Sequence, residues 1–419
     1  MKIIIIYCYF EIFGGWILKL LHIPASLGLG LMQILDILPF LYFIFKFHLK
    51  RNNSGLPNSA SFWNCAILLL ILSIFTTIVQ NGKISSSLIH FGIIFRFAAL
   101  AAIISSIKTG ENSTNKLFKH YSIISGILVV IGYIEIIGSA SVLPYFIPLS
   151  SNVSSAQSSL KDIGAGIFGI FPNTVDYSYF LLLSYIIISN KKGIRHQFIL
   201  FLIYLVPLYY SGSKAALLIL ILCLSFKLES VKLIRNTFIL MVICASSLLI
   251  YNFWDLFYWT VFIDSQASRL GYIIFTLPYF LSELSFGTFF GMSPTKEIVH
   301  EKINSYPYAP SLTWNLEDMG SFEDEFYVAL PVYYGIIGFA IIVYLFFRML
   351  KTYLHYHWRD NTFNYSTIIK SISATLIIAP LFNQIIIIKP FSLFMWIFLG
   401  LFIHKGNYHR ESNKCQVSC

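Results

Sequence analysis

Long apolar runs with almost no charge recur along the whole chain and limit what it can fold into. The chain has 419 residues, of which 57% are hydrophobic and only 11% are charged. An average soluble domain carries about 25% charged residues, so this chain has too few to cover a soluble surface. Composition therefore excludes a soluble globule, a disordered chain and a nucleic-acid-binding protein. Runs close to the ~20 residues that cross a bilayer indicate an all-α polytopic membrane protein.

Twelve transmembrane helices are predicted, because a segment in lipid must satisfy its own backbone hydrogen bonds. The predicted spans are 3–20, 27–47, 62–80, 88–107, 121–143, 173–190, 196–210, 214–227, 236–254, 325–348, 367–388 and 391–404. Together they make one integral membrane domain over residues 1–419. Two longer connecting segments stand out, at 143–172 and 255–324.

Basic residues predict the side of the membrane that each connection faces. The formal net charge is +10, and Lys and Arg concentrate in every second gap between the predicted helices. Cytoplasmic loops are enriched in Lys and Arg, so both termini are predicted to be cytoplasmic. The 143–172 and 255–324 segments then lie on the outer side. Within the longer one, the apolar stretch Tyr272–Phe290 is predicted to form an interfacial helix along the membrane surface.

The first candidate site is Tyr210-Ser-Gly-Ser-Lys214, between two short apolar runs that are flanked by basic clusters. Both flanks are predicted to be cytoplasmic, so the two runs should form a hairpin with Ser211–Lys214 at its outer apex. Lys214 would begin a helix, where unpaired backbone N–H groups favour phosphate. The alternative is a lysine that extends to the interface for its own solvation.

The 255–324 segment contains two further candidate sites. Arg269, in Ser268-Arg269-Leu-Gly271, could clamp a diphosphate with its guanidinium, or it could anchor a surface helix to lipid headgroups. Glu323 and Asp324 precede an apolar run and could act as a general base. Acidic residues also cap helices, and for this pair capping is the stronger alternative.

Four charged residues fall inside predicted spans, where charge is costly and marks functional candidates. Arg96 is the strongest functional candidate of the four, because it could face a cavity for a lipid diphosphate. An internal Arg96–Glu135 ion pair is the alternative. The complete set is Asp36, Arg96, Glu135 and Lys370.

One motif predicts the start of a helix, and the cysteines predict no site. Phe171-Pro-Asn173 fits a loop that leads into the sixth helix, with Lys161 in the loop before it. The six cysteines form neither a metal-type cluster nor a disulfide framework. No metal or other cofactor is predicted.

In their order along the chain, these motifs resemble the O-antigen polymerase family, with the O-antigen ligases as relatives. Ser213-Lys214-Ala-Ala-Leu-Leu218 is similar to the superfamily's Ser-Arg-x-x-x-Leu element, with Lys in place of the usual Arg. Ser268-Arg269-Leu-Gly271 is similar to its loop arginine. Asp324-Glu-Phe-Tyr327 before Gly335-Ile-Ile-Gly338 is similar to its closing segment. The resemblance covers roughly residues 160–350.

The resemblance implies a metal-independent glycosyltransferase of the helical-membrane (C-type) class in the bacterial inner membrane. It would polymerise lipopolysaccharide or other surface-polysaccharide repeat units carried on undecaprenyl diphosphate, transferring the growing glycan en bloc. A separate flippase and a chain-length regulator are the implied partners. Lys214 and Arg269 would bind the diphosphate, with Arg96 and Lys161 as auxiliaries. Asp324 is the first choice for the base that takes the acceptor proton, and Glu323 is the second.

Three other functions remain open from the sequence. An O-antigen ligase is the nearest alternative, and a flippase for the same lipid-linked oligosaccharide is the main one from another class. A non-catalytic membrane scaffold is third. Transporters commonly contain internal repeats, whereas no repeat is visible in this chain, and its longest connection lies in one outer segment.

Overall fold

Every element of the described part of the chain is a helix, which confirms the predicted all-α class. The computed structural model describes residues 2–24, 27–28, 31, 34, 38–39, 59–106, 111–138, 142–146, 167–171, 173–191, 197–227, 276–306, 326–355, 365–379 and 389–401. The helices are α1 Lys2–Leu20, α2 Ser59–Val79, α3 Ile84–Ser106, α4 Glu111–Gly138, α5 Leu143–Phe146, α6 Thr174–Ser189, α7 Gln197–Tyr210, α8 Lys214–Lys227, α9 Leu277–Ser282, α10 Phe286–Phe290, α11 Lys296–Asn304, α12 Phe326–His355, α13 Tyr365–Ile378 and α14 Lys389–Leu401.

Within the described residues, five helices are long and apolar enough to cross a membrane, namely α1, α2, α3, α4 and α12. The helices α6, α7 and α14 are apolar but shorter. Large aliphatic side chains are exposed on the outward faces, such as Ile71 on α2 and Val130 on α4. An exposed apolar surface of this kind is what a lipid-facing helix presents.

Two of the short helices occupy the centre of the bundle. Nearly every residue of α6 is buried, including its polar Ser178 and Ser184, and all of α14 after Lys389 is buried. The ring of Phe394 on α14 lies 4.6 Å from that of Tyr121 on α4. A helix that is apolar on every face is typically buried in the interior. In agreement with this, α6 contacts the helices α4, α7, α8 and α13.

Most predicted helices agree with the structure to within a few residues, but one differs at both ends. The span predicted at 121–143 is α4, which begins at Glu111 and ends at Gly138. Polar residues such as Lys116 and Lys119 are exposed on its first turns and continue the helix beyond the apolar run. The span predicted at 236–254, most of 27–47 and residues 380–388 of the span predicted at 367–388 lie outside the described residues.

Candidate functional site

The predicted hairpin is formed by α7 and α8, and its apex is the turn Ser211–Ser213. Gly212 has φ +78°, a conformation that glycine adopts without steric cost. Ser213 caps α8, since its carbonyl oxygen accepts from Leu217 N–H at 3.1 Å and its Oγ accepts from Ala216 N–H at 3.4 Å. Lys214 is the first residue of α8 and its side chain is exposed. An exposed cation therefore lies beside the amide groups that begin a helix, an arrangement that favours anions.

The apex is held in place by the loop 167–171 and by α6. Ile167 N–H donates to Tyr210 O at 3.3 Å, which joins the loop to the last residue of α7. Ser178 Oγ on α6 donates to Ser211 Oγ at 2.6 Å, and Ser211 Oγ donates to Leu208 O at 2.6 Å. Ser211 is 2% exposed, so the turn has one fixed, buried side and one open side.

Glu135 in turn binds the loop 167–171. Its Oε2 accepts from Phe168 N–H at 3.0 Å and from Gly169 N–H at 2.9 Å, and the residue is 3% exposed. Gly169 has φ +57°, and a Cβ there would lie 2.7 Å from Cδ2 of Tyr177. The carboxylate is thus paired with backbone amides. The Arg96–Glu135 ion pair considered from the sequence is replaced by this arrangement.

Asn173 caps α6, as the Pro-Asn motif predicts. Its side-chain oxygen accepts from Asp176 N–H at 2.7 Å, and Asn173 itself is extended with φ −146°. This cap fixes the start of the central helix directly after the loop that Glu135 holds.

The Tyr272–Phe290 prediction is wrong over its described part, because residues 277–290 form two short helices in place of one interfacial helix. The chain turns at Leu284, which has φ +47°. Ser285 and Thr288 then form a reciprocal capping box that starts α10. Phe280 is fully buried, and α10 packs against α12 and α2. The segment is therefore part of the helical bundle.

The segment after α10 crosses a break in α12, which we call the glycine crossing and define by Gly291 and Gly335. Gly335 has φ +67° and ψ 177°, which is not helical. A Cβ on Gly335 would lie 2.3 Å from Phe289 O, and one on Gly291 would lie 2.3 Å from Tyr333 O. Met292 N–H donates to Val332 O at 2.8 Å. The two main chains thus touch directly, and only glycine fits at either position.

A histidine that sequence reasoning missed lies beside the glycine crossing. His90 Nδ1 is 2.7 Å from Tyr334 Oη, and its ring centre is 5.1 Å from that of Tyr333. In the sequence, His90 is a single histidine within an apolar helix, so no local signal distinguishes it. Its contact joins α3 to the broken part of α12.

A hydroxyl cluster and an ion pair join the α2–α3 connection to the segment that follows α10. Thr77 Oγ1 lies 2.6 Å from Ser87 Oγ and 2.7 Å from Ser293 Oγ. Lys83 Nζ pairs with Glu297 Oε1 at 2.8 Å. The hydrogen bond from Lys83 lowers the pKa of Glu297 below its ordinary value. The start of α11 is therefore tied to the turn between α2 and α3.

Only two of the six predicted site residues fall within the described residues, and they lie on different helices. Lys214 begins α8, whereas Arg96 is half-buried in α3 with its Cζ 4.7 Å from the centre of the Phe97 ring. The remaining predicted site residues, which lie outside the described residues, are Lys161, Arg269, Glu323 and Asp324.

Among the described residues, no group of three or more His, Cys, Asp and Glu side chains is placed to hold a metal ion. Comparison of the chain with protein-family models finds no match, and comparison with curated protein sequences finds none either.

Proposed function

We propose that this chain is a membrane glycosyltransferase that polymerises lipid-linked glycan repeat units at the outer face of a bacterial inner membrane. The proposal includes twelve spans, cytoplasmic termini and a metal-independent fold of the helical-membrane class. The observation that carries it is the exposed Lys214 at the apex of the α7–α8 hairpin. Each arm has 14 residues, or about 21 Å at 1.5 Å per residue. Since the hydrocarbon layer is about 30 Å thick, an arm that starts at its inner boundary ends about 9 Å below its outer boundary, so the apex lies in the outer half of the bilayer.

The chemistry needs a cation where a diphosphate departs. An acceptor sugar hydroxyl attacks the anomeric carbon of the donor glycan, a base takes the hydroxyl proton, and the bond to undecaprenyl diphosphate breaks. Lys214 and the N-terminal amides of α8 stabilise the charge that develops on the leaving group. Arg269 shares this role, with Arg96 and Lys161 as auxiliaries. Asp324, or else Glu323, is the proposed base.

The proposed sidedness is supported by contacts between segments that the basic residues assign to the outer side. Trp16 Nε1 near the end of α1 donates to Tyr145 O in α5 at 2.8 Å. The loop 167–171 meets the hairpin apex, and the Lys83 turn meets α11. Connections that share one face of a membrane can meet in this way, whereas connections on opposite faces cannot.

A flippase for the same lipid-linked oligosaccharide is the second candidate, and the break in α12 favours it. Transporters commonly place their substrate sites at discontinuous helices. In this chain, however, the main chain of residues 289–292 fills the break. A break that is occupied by protein leaves the Lys214 apex as the better candidate site, and this favours the enzyme.

The test is a glycan gel of cells that carry Lys214→Ala or Arg269→Ala. We expect both variants to reach the membrane and to give single repeat units in place of a ladder of chain lengths. Lys214→Arg, which keeps the cation, should retain the ladder, and Lys296→Ala on the exposed start of α11 is the matched control. Normal ladders from both alanine variants would refute the assignment. Loss of even the single capped unit on gene deletion would favour a flippase or a ligase.

A further inference from the structure

We propose that Glu135 is a positioning residue, whose buried carboxylate sets the place of the hairpin apex and therefore of Lys214. This inference rests on the proposed function, because it assigns to Glu135 a part in presenting the cation that receives the diphosphate. Glu135 does not touch the apex itself. It acts through the loop 167–171, which lies between the carboxylate and the last residue of α7.

The connection consists of three consecutive contacts. Glu135 Oε2 accepts from the amides of Phe168 and Gly169. The amide of the preceding residue, Ile167, donates to Tyr210 O. Tyr210 ends α7, and the turn 211–213 leads from it to Lys214. A shift of the loop therefore removes a support at the residue from which the apex begins.

The loop needs this acceptor because it crosses a buried part of the bundle. Phe168 and Gly169 are buried, and their N–H groups point to the carboxylate. A buried amide without an acceptor is strongly unfavourable, so the loop holds this path only while an oxygen atom is present at the Glu135 position. The ring of Tyr177 also packs against Gly169, and its hydroxyl donates to Leu128 O at 2.9 Å. The loop is thus held by both Glu135 and Tyr177.

The role requires an oxygen acceptor and not a negative charge. Glu135 Oε1 is buried and has no hydrogen-bond partner, so a single oxygen atom makes both of the amide contacts. Glutamine has the same reach and also offers one side-chain oxygen. Leucine keeps a similar volume but offers no acceptor. Glu135→Gln and Glu135→Leu therefore separate the acceptor from the packing.

The position of the apex can be read without any activity measurement. Ser211 is 2% exposed, so a cysteine at that position should react slowly with a membrane-impermeant maleimide while the apex is held. The experiment uses the full chain in membranes with its six native cysteines replaced. Each Glu135 variant is combined with Ser211→Cys, and the initial labelling rate is compared with that of the Ser211→Cys parent.

We expect Glu135→Leu to raise the labelling rate at least tenfold and Glu135→Gln to leave it within twofold of the parent. Glu11→Leu is the matched control. It removes another buried carboxylate, one that pairs with Lys389 at 2.6 Å on the α1–α14 side of the bundle, and should leave the rate unchanged. A parental rate in Glu135→Leu, or an equal rise in Glu11→Leu, would overturn the inference.

The same variants, with Ser211 restored, are then tested on the glycan gel. A positioning role predicts that Glu135→Leu shortens or abolishes the ladder and that Glu135→Gln restores it. Faster labelling with a normal ladder would overturn the role of Glu135 in polymerisation. The proposed function fails separately, through normal ladders in Lys214→Ala and Arg269→Ala, and the labelling rates do not depend on that result.

Discussion

Replacing Gly335 with alanine should separate α12 from the segment that crosses it. A Cβ at Gly335 would lie 2.3 Å from Phe289 O, 2.4 Å from Phe289 C and 2.5 Å from Gly291 N. All three atoms belong to the backbone, so no side chain can rotate away to make room. The new methyl group also has to adopt φ +67° and ψ 177°, a region that is essentially restricted to glycine.

Two contributions set the size of the effect. Holding alanine in this backbone conformation costs about 1–3 kcal/mol. Moving the chains apart weakens the hydrogen bond from Met292 N–H to Val332 O, which is worth about 1 kcal/mol. The free energy of unfolding should therefore fall by about 2–4 kcal/mol. At about 2 °C per kcal/mol for a large chain, the midpoint of thermal unfolding should fall by about 4–8 °C.

The assay is thermal unfolding of the detergent-purified protein, followed by the loss of its monodisperse size-exclusion peak. Gly92→Ala is the matched control, since Gly92 lies within helix α3 and a Cβ there meets nothing within 4 Å. That change should be neutral or slightly stabilising, because alanine favours a helix by about 0.5–1 kcal/mol over glycine. Equal midpoints for Gly335→Ala and Gly92→Ala would refute the glycine crossing.

Two further predictions concern a helix cap and an ion pair. Asn173→Ala should destabilise the protein by about 1 kcal/mol, because it removes the cap of α6. Asn173→Asp keeps a side-chain acceptor and should preserve the cap. Equal midpoints of thermal unfolding for the two variants would contradict this prediction. The pKa of Glu297 is lowered chiefly by its hydrogen bond from Lys83. The ion pair between the two residues therefore stabilises the protein fully at a pH above the ordinary Glu pKa of 4.5. This stabilisation is lost as the pH falls through the lowered pKa of Glu297. Hydrogen-exchange protection of the first turn of α11 should show this loss in the parent and not in Lys83→Ala, and identical pH profiles would exclude the pair as its cause.

The helices were largely predictable because long apolar runs leave a chain in lipid few other options. The hairpin of α7 and α8 follows from two such runs with a Ser-Gly-Ser turn between them and basic residues at both flanks. The start of α4 was not predictable in this way. Its first turns contain Lys116 and Lys119, which are polar and exposed, and a helix can continue into water without any apolar signal.

The contacts that build the candidate site were less predictable than the helices. Glu135 is conspicuous in the sequence as a charge within an apolar run, but its partners are main-chain amides of Phe168 and Gly169, which no residue type identifies. Gly291 and Gly335 are each visible as residues that permit close approach. Their pairing joins positions far apart in the chain, and composition contains no signal for it.

The break in α12 and the segment that fills it depend on each other structurally. An unbroken helix would give Val332 O to the amide of residue 336, and Met292 N–H supplies a donor to that carbonyl instead. Within a bilayer, no water molecule is present to donate a hydrogen bond to a carbonyl that a helix break exposes, so protein must occupy the break. This is why the apolar stretch 286–292 lies against α12, where its amide is needed, and not along the membrane surface.

Arg269 precedes this anchored segment in the sequence and Asp324 follows it, so the glycine crossing fixes a point between the two proposed site residues. Gly335→Ala should therefore shorten the glycan ladder at temperatures well below its unfolding midpoint, whereas a full-length ladder there would show that the crossing serves stability alone.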